Sequence, residues 1–111
     1  MGYSVSDNKI MLTRGDTAKI SVTVKYKTTG DEYTPQEGDH IRFSFKKYVS
    51  DKNTIFEKDV PIDTMLLVIE PEDTKSLPFG PYVFDGQLTF KNGDVDTFIQ
   101  NGILEITHEV S

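Results

Sequence analysis

The feature that most constrains this chain is an apolar pattern with a period of two residues. Between residues 18 and 26 the sequence reads AKISVTVKY, in which Ala, Ile, Val, Val and Tyr alternate with Lys, Ser, Thr and Lys. Because successive side chains of a β-strand point to opposite faces, this alternation predicts a strand with one buried face and one exposed face. The pattern recurs in HIRFSFKKY, which starts at His40, and in PYVFDGQLTF, which starts at Pro81.

The rest of the chain fits the same class. No segment longer than ten residues has helical periodicity, and the one candidate for a short helical turn is PEDTKSL, from Pro71 to Leu77. About seven strands separated by turn signals predict an all-β antiparallel sandwich. The chain has 111 residues, which suits one domain. We expect a flexible N-terminus over residues 1–8 and a single sandwich domain over residues 9–111.

Two Asn-Gly pairs shape the prediction for the C-terminal part. Asn92-Gly93 predicts a two-residue hairpin, which would place Phe90 opposite Val95 and Val95 on the core face. Asn101-Gly102 indicates either a second hairpin or a kink in one long final strand. The kink is preferred, because the apolar face changes parity there as a bulge would require.

The tripeptide Arg14-Gly15-Asp16 has two interpretations. It is the sequence of an integrin ligand, but it also lies between two predicted strands, where Gly15 would supply a positive φ angle in a hairpin turn. The turn is favoured, since short motifs arise easily by chance and the N-terminal sequence shows no apolar run of the kind that directs secretion.

The stretch EDTKSLPFGPY, from Glu72 to Tyr82, resembles the tyrosine corner of immunoglobulin-like and fibronectin-like sandwiches. The resemblance implies that the hydroxyl of Tyr82 bonds to backbone between Asp73 and Leu77. It also implies that Leu77 plugs the space beneath the turn and that Asp73 or Thr74 caps it. The expected fold is therefore an immunoglobulin-like β-sandwich.

Composition argues against several functions. The chain has no Cys, which excludes disulfides and thiolate chemistry, and its net charge of −6 argues against a nucleic-acid partner. No apolar run is long enough to span a membrane. His40 and His108 have no catalytic motif around them, and the acidic group of Asn92, Asp94 and Asp96 lacks calcium-loop spacing. We expect no enzyme activity, no metal and no cofactor.

The ordered pattern of the whole chain resembles structural domains of phages and prophages of Gram-positive bacteria. The closest family is the N-terminal domain of the phage baseplate upper protein. The segments that carry the resemblance are LTRGDTAKISVTV, GDHIRFSFKK, IFEKDV and EPEDTKSLPFGPYVFDGQLTFKNGDVDTFIQNGILEITHEV. Their most specific pieces are Arg14-Gly15-Asp16-Thr17, Asp73-Thr74 with Leu77, Gly80-x-Tyr82-x-x-Asp85, and the ending Gly93…Thr97…Gly102.

This resemblance implies a non-catalytic assembly module of the tail, baseplate or head. Its partners would be other virion proteins, with weak self-association. As a virion component it would be made in the bacterial cytoplasm and not secreted by a signal peptide. The alternative from a different class is a carbohydrate-binding sandwich used in attachment to the host surface.

The sequence also suggests where partners dock. Charges in the segment from Thr54 to Val60 would protect one edge of the sandwich. The opposite edge would be the final strand, Ile103–Val110, or the first, Lys9–Thr13. We therefore expect docking on that side, by strand addition or by packing on Phe98 and Ile103.

Overall fold

The computed structural model describes residues 3–6, 8–26 and 29–108. The described chain is all-β, with one short helix. The elements are β1 (Tyr3–Ser6), β2 (Lys9–Thr13), β3 (Ala18–Ser21), β4 (Val24–Lys25), β5 (Glu32–Tyr33), β6 (His40–Lys46), β7 (Phe56–Val60), β8 (Leu66–Ile69), α1 (Pro71–Thr74), β9 (Gly80–Thr89) and β10 (Val95–Thr107).

Six strands form the main sheet in the order β1-β2-β10-β9-β6-β7. β3 pairs with β8 and β4 pairs with β5, and the apolar side chains of these small sheets share one core with the main sheet. The predicted all-β sandwich is confirmed. One pairing was not expected: β2 and β10 are parallel, whereas the other neighbours in the main sheet are antiparallel.

The alternation seen in the sequence forms the core. Ile41, Phe43 and Phe45 of β6 are buried on one face of the main sheet. The stretch from Ala18 alternates as predicted as far as Val24, but Tyr26, expected on the buried face, is 52% exposed, and the stretch is not one strand. It breaks after Ser21, where the N–H of Val22 donates a 2.9 Å hydrogen bond to the carbonyl oxygen of Met65.

The N-terminal residues differ from the prediction. Residues 3–6, expected to be flexible, form β1, which pairs with β2 from Lys9 to Leu12. The hydroxyl of Tyr3 also donates a 2.9 Å hydrogen bond to the carbonyl oxygen of Lys19. Residues 1, 2 and 7 lie outside the described residues, as does the predicted end of the last strand at Val110.

The hairpin at Asn92-Gly93 is displaced by one residue from the prediction. Val95 pairs with Thr89, the N–H of Phe90 donates to the carbonyl oxygen of Asp94 at 2.7 Å, and Gly93 has φ 98°. This is a three-residue loop with a bulge at the glycine. Because a shift of one residue exchanges the faces of a strand, Val95 is on the surface, 58% exposed, and not in the core.

The second Asn-Gly lies in a kink within one continuous strand. β10 runs through Asn101-Gly102, and its register to β9 shifts twice, between Thr97 and Ile99 and between Ile99 and Gly102. Asn101 has φ 55°. The two bulges turn the strand so that its later apolar residues, Leu104 and Ile106, face the core.

Candidate interaction surface

The two edges of the main sheet differ in chemistry. β7 forms one edge, and its charged side chains include Lys58, which is paired with Asp73 at 2.6 Å, and Asp59, which is paired with Arg42 at 3.0 Å. This is the charged edge predicted from the sequence. Charges on an edge oppose pairing with another chain, because a second strand would have to desolvate them.

β1 forms the opposite edge. Its sequence, YSVS, contains no charge and no proline. β2 is its one strand neighbour within the described residues, so the other side of β1 faces outward. Val5 is 46% exposed although it lies opposite the buried Ile10 in the β1–β2 pair. We call this side of the domain the β1 edge.

A groove of about 490 Å³ lies beside the β1 edge, between the main sheet and the smaller strands. The main sheet contributes Val5, Phe98 and Ile99 to its lining, and the strands from Ile20 to Tyr26 contribute the other wall. The volume is within the range of sites that accept an apolar group. Val5 therefore belongs both to the outward edge and to the groove behind it.

The structure does not bring Phe98 and Ile103 together. Phe98 lines the groove and meets the buried Phe43 edge to face, with 5.9 Å between ring centroids. Ile103 lies between Gly102 and Leu104, both buried, so it points to the outer face of the main sheet.

The prediction that the final or first strand forms the open edge was wrong. β10 lies between β2 and β9, and β2 is covered by β1. Sequence reasoning missed Val5, although YSVS carries the period-two signal over four residues.

The turn at Arg14-Gly15-Asp16 connects the main sheet to the β3–β8 sheet, and so it is not a hairpin. Gly15 has φ 83°, and the N–H of Asp16 donates to the carbonyl oxygen of Thr13 at 3.1 Å. The guanidinium of Arg14 stacks 4.2 Å above the ring of Phe79. Arg14 is thus packed against its own chain, which gives no support to the adhesive interpretation.

Tyr82 is buried, with 2% of its surface exposed, and its hydroxyl donates a 2.6 Å hydrogen bond to the carbonyl oxygen of Pro78. The acceptor is one residue beyond the predicted segment. Burial raises the pKa of the Tyr82 hydroxyl, which favours its neutral, hydrogen-donating form. Leu77 is partly buried against the core beneath this turn.

Asp73 and Thr74 have separate roles at the short helix α1. The carboxylate of Asp73 accepts a 2.8 Å hydrogen bond from the N–H of Glu70, which closes the first turn. Thr74 is fully buried, and its hydroxyl accepts the N–H of Gly15 at 3.0 Å. The corner is therefore joined to the turn that follows β2.

The remaining candidates lie apart from one another. His40 pairs with Thr89 at one end of β9, whereas the ring of His108 lies 3.7 Å from that of Phe79, next to the other end. A depression of about 770 Å³ beside His40 is lined by charged, polar and apolar side chains. The side-chain oxygen of Asn92 accepts a 2.9 Å hydrogen bond from the N–H of Asp94. This bond is sufficient to explain an asparagine in the turn.

Within residues 3–6, 8–26 and 29–108, no group of three or more His, Asp or Glu side chains is placed to hold a metal ion. No helix in the same part of the chain is long and apolar enough to cross a bilayer. Comparison with protein-family models, with curated proteins and with solved structures finds no match. The β1 edge and its groove are therefore the basis on which a function can be assigned.

Proposed function

We propose that this domain is a non-catalytic structural module of a phage or prophage particle, which assembles with other virion proteins in the tail, baseplate or head. The observation that supports it is the contrast between the two sheet edges. β7 carries paired charges, whereas β1 carries none. An open, uncharged edge can accept a strand from another chain through backbone hydrogen bonds.

The groove supplies what an added strand needs besides backbone bonding. In such complexes, alternate side chains of the added strand enter pockets next to the edge, and these pockets give specificity. Val5 at the groove mouth and Phe98 deeper in it form an apolar surface of this kind.

A contact over four residues is small. Each copy therefore binds weakly, and a stable particle depends on many copies acting together.

The carbohydrate alternative has less support. A sugar site needs aromatic rings beside polar groups on one surface. Tyr48 is the most exposed aromatic of the described residues, at 63%. The ring of Phe79 stacks with Arg14 and His108, and the ring of Tyr33 packs against Phe90, so these two rings are engaged within the chain. The described lining of the depression beside His40 includes no Phe or Tyr.

The test is the substitution Val5→Lys, introduced into the phage or prophage genome that encodes this chain. Val5 is exposed, so the domain should keep its fold, while a charge at the edge should block strand addition. We expect at least a tenfold loss of assembled particles, because a weaker contact is repeated at every copy. Val95→Lys makes the same change at an exposed valine at the start of β10 and should leave assembly intact. Normal assembly of the Val5→Lys particle would eliminate the proposal.

The genes that surround the coding sequence provide an independent check. Tail, baseplate or capsid genes beside it would support the proposed function. Genes for sugar-processing enzymes would instead favour the carbohydrate alternative.

A further inference from the structure

We propose that the partner of the β1 edge is β1 of a second copy, paired antiparallel with the first about a twofold axis. The two main sheets would then form one continuous sheet of twelve strands. This inference depends on the proposed function in one respect, namely that β1 is the docking side.

The residues of β1 match a second copy of themselves. Tyr3 lies opposite Leu12 and Val5 opposite Ile10, and both partners on β2 are buried. Tyr3 and Val5 are therefore on the inner face of the sheet. Residues directly opposite each other in an antiparallel pair share a face, so apolar residues must meet apolar residues across the new pair.

One register meets this requirement for both apolar residues. Val5 opposite Val5 would also keep the inner faces together, but it leaves Tyr3 without an apolar partner in β1 of the second copy. With Ser4 opposite Ser4 of the second copy, each Tyr3 lies opposite a Val5, which is a favourable aromatic and β-branched pair. A shift of one residue would place a serine opposite Val5 and mix the inner and outer faces of the two sheets.

The groove adds to the match. Val5 forms part of its lining next to the edge, so in this register Tyr3 of the second copy reaches Val5 at the groove mouth. The twofold axis makes the same contact twice. Exposed apolar surface on both copies would be removed from water, in an isologous contact.

The topology of the main sheet favours a second copy as the partner. Pairing β1 with β1 leaves β7 as both outer edges of the twelve-stranded sheet, and β7 is the charged edge. The dimer is thus closed, with no uncharged edge of the main sheet left open.

The first experiment is sedimentation equilibrium over about 1 µM to about 1 mM protein. We expect a reversible monomer–dimer equilibrium. Val5→Lys should raise the dissociation constant at least tenfold, because in each half of the contact an ammonium group would replace the apolar partner of Tyr3. Val95→Lys should leave it within about twofold. A wild-type protein that is monomeric throughout, or a Val5→Lys protein that dimerises equally well, would overturn the inference.

The second experiment tests the register. The chain has no cysteine, so single-cysteine variants give unambiguous products. Under oxidation, Ser4→Cys should give a covalent dimer, because the two substituted residues lie opposite each other. Glu57→Cys, on the charged edge, should give little. Equal yields from the two variants would count against pairing through β1.

The two proposals can fail separately. If Val5→Lys abolishes the dimer but particles still assemble, self-pairing stands and the proposed function is lost. If the wild-type protein is monomeric but Val5→Lys particles do not assemble, the proposed function stands and the added strand comes from a different virion protein.

Discussion

The backbone N–H of Gly15 donates a 3.0 Å hydrogen bond to the side-chain hydroxyl of Thr74, which is 59 positions away in the sequence. Gly15 lies in the turn that leaves the main sheet after β2, and Thr74 ends the helix α1 that follows β8. The bond therefore joins the two layers of the sandwich at one end. Thr74 is fully buried, so its hydroxyl needs this partner.

Thr74→Val should lower the free energy of unfolding by about 1–3 kcal/mol. Valine keeps the volume of threonine but cannot accept the N–H of Gly15, which would lose its partner. Thr107→Val is the matched control, because the Thr107 hydroxyl donates only a long bond, 3.4 Å, to the carbonyl oxygen of Leu12. Urea denaturation at neutral pH measures both variants. A control as destabilised as Thr74→Val would show that the Gly15 bond has no special role.

Tyr82→Phe should destabilise the fold by about 0.5–1.5 kcal/mol, and by up to about 3 kcal/mol if the carbonyl of Pro78 is left without a donor. The phenylalanine ring keeps the packing, including the ammonium of Lys47 at 4.5 Å from the ring centroid. Tyr48→Phe removes the same hydroxyl from a side chain that is 63% exposed, and should change stability by less than about 0.5 kcal/mol. Chemical denaturation distinguishes them, and equal stabilities would argue against a tyrosine corner.

The sequence predicts the core strands well because their signal is local. In β6 the buried residues Ile41, Phe43 and Phe45 can be read from the alternation alone. The same holds for the corner, where the hydroxyl of Tyr82 bonds to the carbonyl oxygen of Pro78, four residues earlier.

Register was not predictable, because it depends on residues far away in the chain. Asn92-Gly93 is compatible with a two-residue loop or with a three-residue loop that carries a bulge. The choice is made by the pairing of β9 with β10, where two later bulges restore the core face after Val95 has been placed on the surface. Next to those bulges, Gly102 lies against the ring of Phe84 and Gly86 against that of Phe43, contacts that no local pattern shows.

The position of a strand within the sheet is a long-range property as well. Nothing within Ile103–Thr107 reveals that β2 will pair with it in parallel. The open edge was therefore assigned to the wrong strand. That partners dock on Phe98 and Ile103 stays a prediction. The charged edge was correct because its signal, the run from Glu57 to Asp59, is local.

Gly102→Ala should destabilise the fold by about 1–3 kcal/mol, the range for an overfilled core. A methyl group at Gly102 would lie 2.5 Å from the ring of Phe84, which is itself buried. The double variant Gly102→Ala with Phe84→Leu should recover part of the loss relative to the two single changes, because the smaller side chain makes room. Strict additivity in thermal or chemical denaturation would contradict the close approach.

A buried carboxylate should make stability depend on pH at both extremes. Asp39 is 6% exposed, and its carboxylate accepts hydrogen bonds from the hydroxyl of Tyr33 at 2.6 Å and from the N–H groups of Gln36 at 2.9 Å and Lys91 at 3.2 Å. The Gln36 N–H, followed by the Tyr33 hydroxyl, lowers the pKa of Asp39 below its ordinary value of 3.8. The same contact with Asp39, followed by burial, raises the pKa of Tyr33 to about 12.

The two pKa shifts act at opposite ends of the pH range. For Asp39, the stabilisation is fully present above pH 3.8 and is lost as the pH falls through its lower folded-state pKa. For Tyr33, it is fully present below about pH 10 and is lost as the pH rises through about 12.

We expect urea denaturation across pH to show both losses of stability in the wild type. Tyr33→Phe should flatten the alkaline loss between pH 10 and 12, whereas Asp39→Asn should flatten the acid loss and part of the alkaline one. Tyr3→Phe, which removes a hydroxyl bonded to the carbonyl oxygen of Lys19, serves as the control and should keep both slopes. If stability in Asp39→Asn depended on pH as it does in the wild type, the hydrogen bonds of this carboxylate to Tyr33, Gln36 and Lys91 would not account for the pH dependence.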